Sequence, residues 1–228
     1  MTLPSQEDTP TGLHRMNFRG LTFREMWRFS NANPMVFLVC LGLKLNKHQG
    51  SQVWLPFMEC EKRAAWEEVS APLKERLQTR IKEAEALGYG RWTYNLLARN
   101  FDPHTKDAAG AKGLSADGSH YISIHLLTSV ATGTEKTVTA LGATAYHSDG
   151  TCMEFLAHSN YTDTHPSIRR VRVKSASLAE LQKAMTAHLA KRADVRHFTS
   201  WDEIIPLEEE FSRLEAQSAV KRGLYVAE

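Results

Sequence analysis

Polar and apolar residues alternate singly near the start of the chain and again over 120–174, and recur every three or four positions over 21–87 and beyond 177. In "HRMNFRG", His14–Gly20, Arg15, Asn17 and Arg19 share one parity and Met16 and Phe18 the other, which predicts a strand with one polar face. Leu21, Phe23, Met26, Trp27 and Ser30 then fall at helical spacing, and Asn33 before Pro34 signals a second helix start. The segment Pro34–Lys47 is apolar almost all round, as befits a helix buried in a dimer or a domain core. Glu61–Leu87 reads as helical, with Trp66, Val69, Leu73, Leu77, Ile81 and Ala84 on one face. Pro72 restarts that helix behind Ser70 as N-cap.

The stretch "FDPHTKDAAGAKGLSADGSH", 101–120, is rich in Gly, Ala and Asp and reads as a mobile loop between two lobes. Beyond it the period becomes two. "HYISIHLL", "TVTALGATAYH", "TCMEFLAHS" and "IRRVRVK" predict four strands, with Asp149 and Gly150 as a hairpin turn that sets His147 opposite Cys152. Leu178, Leu181, Met185 and Leu189 line one face of a helix capped by Ser175 or Ser177. A last acidic helix starts near Thr199 and is interrupted near Pro206. The expected fold is α+β. A flexible leader (1–12) precedes a dimerisation unit (13–50), a helical segment (51–100), a loop (101–118) and a lobe (119–228) holding an antiparallel sheet of about four strands with flanking helices.

The 228 residues are 42% hydrophobic, enough for a substantial core, and the net charge of +2 implies no polyanionic partner by itself. The charge is uneven, however. Residues 14–47 hold six Lys/Arg against one acid and 168–192 seven against one, whereas 199–217 hold six acids against one Arg. Only the two basic islands favour a polyanion. Cys40, Cys60 and Cys152 form no C-x-x-C motif, so neither a disulfide framework nor a zinc knuckle is indicated and a cytoplasmic location is the default. The polar, proline-containing start lacks the chemistry of a secretory signal, and the longest apolar run, Met35–Leu43, is too short for a bilayer span.

A two-stranded antiparallel ribbon, one strand from each of two subunits, fits the DNA major groove and reads base edges through one face. Arg15, Asn17 and Arg19 supply the forked donors for guanine and adenine, while Met16 and Phe18 pack behind them. With the two helices that follow, residues 13–50 resemble the ribbon-helix-helix DNA-binding family and, loosely, the AcaB-type transcription activators of conjugative plasmids and integrative elements. The resemblance implies an intertwined homodimer centred on Pro34–Leu45, sequence-specific binding of double-stranded DNA and transcriptional control. Arg24, Lys44 and Lys47 are the expected phosphate contacts. A second basic strand, Arg170, Arg172 and Lys174, is the runner-up for a DNA-facing surface. A plainer reading of "RMNFR" is an edge strand whose charges discourage aggregation.

No P-loop, G-x-G-x-x-G, H-E-x-x-H or G-x-S-x-G motif occurs, so the expectation is a non-enzymatic protein without cofactor or metal. Two rivals remain. One is a protein-interaction or effector-binding protein that works through the C-terminal α+β lobe. The other is a small hydrolase or metal enzyme built around His147, Cys152 and His158, with His165 as a further ligand. His120 and His125, five apart in a strand, face opposite ways and cannot share an ion.

Overall fold

A computed structural model describes residues 9–56, 61–97, 105–131, 134–157, 162, 165–175 and 177–227. The fold is α+β, with five α-helices and two sheets among the described residues. The larger sheet has seven strands in chain order: β3 (Glu61–Ala64), β4 (Tyr89–Leu97), β5 (Thr105–Ser115), β6 (Tyr121–Ala131), β7 (Thr134–Tyr146), β8 (Cys152–Leu156) and β9 (Ile168–Arg172). All neighbours are antiparallel except β8 and β9, which run parallel. The four strands expected after residue 119 are β6–β9, but they continue a sheet begun by β3–β5, and their last pairing is parallel rather than antiparallel.

Two helices cover one face of this sheet. These are α3 (Ala71–Glu85), which starts behind Ser70 with a proline in its first turn as the sequence suggests, and α4 (Leu178–Leu189). Leu73, Leu77 and Ile81 of α3 and Leu181 and Met185 of α4 pack on Ile122, Ile124, Leu126, Leu141 and Ala143. Helix α5 (Trp201–Lys221) covers the opposite face. It runs through Pro206 unbroken, because Ile204 and Trp201 before the proline and Phe211 after it are seated in one cluster with Leu114, Tyr121 and Tyr146.

The expected loop at 101–118 is for the most part β5; residues 101–104 lie outside the described residues. Small side chains decide this. Ala109 and Ala111 are fully buried against the α3 face, where larger residues would hold the helix off, so the segment reads as loop by composition while serving as a two-sided central strand. Among the described residues of 51–100 only 71–85 is α-helical; the others supply most of β2 (Gln49–Leu55), β3, a 3-10 turn and β4.

The smaller sheet places β1 (Gly12–Asn17) between β2 and β10 (Tyr225–Ala227), antiparallel to both. Helices α1 (Phe23–Phe29) and α2 (Pro34–Leu45) follow β1 as the spacing predicts. Thr22 and Glu25 form a capping box on α1, and Asn33 Oδ1 accepts the Met35 and Val36 amides at 2.9 and 3.3 Å on α2. Their core, Leu21, Met26, Cys40, Val53 and Leu55, closes with Ala216, Ala219 and Leu224 from the far end of the chain. This corrects the intertwined unit over 13–50. Both edges of β1 are hydrogen-bonded within the chain, so no edge is free to pair with a second copy, and the N-terminal core is completed by α5 and β10. Among the described residues no helix is long and apolar enough to cross a membrane.

Candidate ligand-binding cavity

Strand alternation gives the large sheet two chemically different faces. Along β6, Ile122, Ile124 and Leu126 point to α3 and α4, whereas Tyr121, Ser123 and His125 point to α5. Ser123 is paired with Lys112 and Gly142, and His125 with Gly110 and Ala140, so the centre of the α5 face carries little side-chain bulk. A Cβ at Gly142 would lie 2.9 Å from Ser123 Oγ and 3.3 Å from Leu156 Cδ2. A cavity of about 230 Å³ occupies this space, bounded by Ser123, His125, Gly142 and Thr144 on the sheet and by Glu208, Ser212 and Glu215 on α5.

Two buried ionic clusters border the cavity. In the first, Lys112 Nζ donates to Glu208 Oε1 at 2.9 Å, Glu208 Oε2 at 3.1 Å and Glu61 Oε2 at 3.2 Å. Tyr121 OH donates to Glu208 Oε1 at 2.7 Å, and Asn95 Nδ2 to Glu61. Burial opposes the Lys112 charge, but Glu208 and Glu61 hold its pKa above the usual lysine value. Burial likewise works against the Glu61 carboxylate, and Lys112, His125 and the Asn95 hydrogen bond together outweigh it, leaving that carboxyl below its ordinary range. In the second cluster Arg170 Nε donates to Glu154 Oε2 at 2.6 Å, and its Nη1 and Nη2 grip Glu215 at 2.6 and 2.9 Å. Each cation is thus flanked by two carboxylates. On the other side of the Lys112–Glu208 pair lies a second recess of about 350 Å³, reached by Arg63, Thr93 and Glu209.

His125 is depressed below the usual imidazole value by burial and stays neutral at pH 7, with one ring nitrogen able to donate and one to accept. Burial and Glu208 push the Tyr121 hydroxyl well above its normal range, so it remains a donor. The wall therefore offers hydroxyls, an imidazole and carboxylates, held by strands in the middle of a sheet.

The DNA-facing residues expected from the sequence do not converge. Arg15 is exposed on β1 opposite Gln52 and Val226, and Asn17 Oδ1 caps the following 3-10 turn by accepting the Arg19 amide at 3.1 Å. Arg19 lies in that turn and not in the strand, because β1 ends at Asn17; the three residues do not line one ribbon face. Lys44 Nζ donates to the carbonyls of Arg19 and Leu21, both at 2.6 Å, and so acts as a clamp between α2 and the preceding turn rather than as a phosphate contact. Arg24 and Lys47 are exposed. On the second basic strand Arg170 is buried in its ion pairs, while Arg172 and Lys174 are exposed at the sheet edge.

The His147–Cys152 pair also separates. The hairpin register sets Tyr146, not His147, opposite Cys152, and a shift of one residue sends the two side chains to opposite faces. Cys152 packs with Tyr121 and Tyr146, and burial raises its thiol well above the usual value, which removes it as a thiolate. His147 Nε2 lies 3.1 Å from His188 Nε2, and Asp194 lies 3.7 Å from His147 Nδ1. Burial holds both imidazoles below the usual value. His120 precedes β6 and bonds Tyr89 OH and Ser119 Oγ at 2.9 and 2.8 Å. His165 Nδ1 accepts the Ser167 amide at 3.2 Å, and His158 lies outside the described residues. Among the described residues no three His, Cys, Asp or Glu side chains converge to hold a metal ion.

Sequence reasoning missed Glu61, Lys112, Ser123 and Glu208. Lys112 lay inside the supposed loop and Glu208 inside an acidic run. The one available signal was a lone lysine in the small-residue string "AAGAKGL", flanked by positions that a buried strand would use. No protein-family model matches the chain, and neither a curated protein nor a solved structure matches it.

Proposed function

We propose that the protein is a non-enzymatic binding protein that takes up a small polar molecule bearing a positively charged group in the cavity between the large sheet and α5. The observation that carries this reading is the placement of Ser123, His125 and two carboxylate-rich ion clusters around a space left by Ala140 and Gly142, in the middle of a sheet otherwise close-packed. A fold that needed only stability would fill those positions with apolar side chains, as it does on the opposite face. The volume lies below the ~300–1,000 Å³ of drug-sized sites and suits a metabolite-sized amine with hydroxyl groups.

Thermal unfolding in the presence of small amines, amino alcohols and amino acids, with matched carboxylates as controls, tests the reading. An amine-bearing compound should raise the midpoint in a saturable way, and Ala140→Leu, which adds bulk to the cavity wall, should abolish the shift while the variant still unfolds cooperatively. Equal shifts in the wild type and Ala140→Leu, or no shift with any cationic compound, would overturn it.

DNA binding is a second reading, favoured by one feature of the N-terminal lobe. Arg15, Arg19, Arg24 and Lys47 are exposed, whereas the single acid of 14–47, Glu25, is buried and bonded to Arg222 at 2.7 Å. In this reading the cavity ligand is an effector and the cations contact phosphate through an exposed surface rather than through a ribbon. Fluorescence anisotropy against duplex DNA over a salt series tests it, and salt-independent or absent binding removes it.

A further inference from the structure

We infer that two copies of the chain associate through the exposed face of α1 and α2, side by side and not by strand exchange. Phe23 and Trp27 on α1 and Met35, Leu38, Val39 and Leu45 on α2 are 62%, 44%, 72%, 57%, 62% and 73% exposed. Elsewhere among the described residues only Val138 and Val171 are large apolar side chains exposed to a comparable degree. At ~200 Å² per large side chain the six expose on the order of 700 Å². That exceeds the ~300–600 Å² of the largest patch on a typical monomer and approaches the ~800 Å² each partner contributes to a standard interface.

The occupant follows from the chemistry of the patch. From Pro34 to Leu43 α2 carries no charged side chain, so two copies crossing antiparallel about Leu38 and Val39 bring only apolar atoms together. The nearest cation on the helix, Lys44, is held by two backbone carbonyls. At Gly42 nothing lies within 4 Å of where a Cβ would stand, which leaves room for a side chain of the second helix. The opposite side of α2 is already spoken for, since Cys40, Phe37 and Leu41 join the core beneath, and the Trp27 ring meets Phe37 edge-on at 5.5 Å. The face is therefore rigidly presented, self-complementary and of the size a two-fold dimer needs.

Sedimentation velocity of the full chain over a wide concentration range tests the proposal, with Leu38→Glu and Met35→Lys as separate variants. Both positions are exposed, so both variants should keep the wild-type circular dichroism and still unfold cooperatively, at a midpoint lowered only by the stabilisation that dimerisation supplied. The wild type should sediment at twice the chain mass, and each variant should raise the dimer dissociation constant by roughly thirtyfold or more. Leu38→Cys should in addition form a disulfide-linked dimer under mild oxidation. A wild type that is monomeric throughout overturns the proposal, whether it then pellets with phosphatidylglycerol vesicles, which would make the patch a lipid-facing surface, or stays in solution. A dimer left intact by both charged variants overturns it equally.

Discussion

The two faces of the seven-stranded sheet are built from alternate residues of the same strands, yet they hold their helices by opposite means. On one side Ile122, Ile124 and Leu126 meet Leu77, Leu181 and Met185 without a charge between them. On the other, Tyr121, Ser123 and His125 share the layer under α5 with Lys112, Glu208 and Arg170. The first arrangement gains free energy directly from area removed from water. The second must recover the desolvation of its ions through mutual hydrogen bonds and ends near balance. The contrast teaches that the α3–α4 face accounts for the fold, while the α5 face is kept polar for a reason other than stability.

Breaking the ionic cluster should produce the largest effect. Glu208→Ala strips Lys112 of two of its three hydrogen bonds and leaves it with Glu61 as its one carboxylate in a site only 5% exposed, so urea unfolding should show a loss of up to about 3–5 kcal/mol. Replacing the cluster with apolar or neutral groups, as Lys112→Met with Glu208→Leu and Glu61→Gln, should recover most of that loss. If the combined variant is as unstable as Glu208→Ala, the ions stabilise the α5 face after all. On the apolar face Ile124→Ala, at a position fully buried, should cost about 2–5 kcal/mol with no change in the affinity for a cavity ligand.

The smallest expected effect is the share of a single buried imidazole in the pH dependence. Burial depresses His120, His125, His147, His165 and His188 below the free imidazole value of 6.5, so the unfolded chain binds protons first. Stability is then complete above pH 6.5 and falls as pH drops below it, by at most about 1.4 kcal/mol per pH unit for each group. The depressed Glu61 carboxyl adds a further loss below pH 4.5, as protonation proceeds towards its folded value. Urea midpoints measured from pH 8 to pH 5 should show the decline, and His125→Gln should make it shallower. A flat profile would mean that the buried imidazoles titrate as free ones do.

How far the sequence foretold this arrangement differs between elements. Strands β6–β9 and helices α1–α4 were legible because their periodicity rests on large apolar residues and recognisable caps such as Asn33 and Ser70. Strand β5 was not, since it alternates in size among Ala, Gly and Lys rather than in polarity. The cavity was still less visible. Lys112 and Glu208 are 96 positions apart and meet only because α5 crosses the sheet, and no local pattern in either segment encodes the encounter. Of the basic stretch 14–20, residues 14–17 were read correctly as strand while 18–20 form a 3-10 turn, and the strand's neighbours were missed because partners at 49–55 and 225–227 leave no trace in its own sequence.

That pairing bears on the order of events at the ribosome. Strand β1 sits between β2 and β10, and the chain comes so close at Gly20 that a Cβ there would stand 2.4 Å from Leu224 Cα. At ~5–20 residues per second, roughly 10–40 s of translation separate the two segments. Throughout that interval Met16, Phe18, Leu21 and Met26 have no α5 or β10 to cover them, so this lobe is begun before the large sheet and closed only after it. Nascent chains carry these apolar side chains uncovered until residues 216–225 emerge, and chaperones that shield apolar segments during that interval should raise the yield of folded protein.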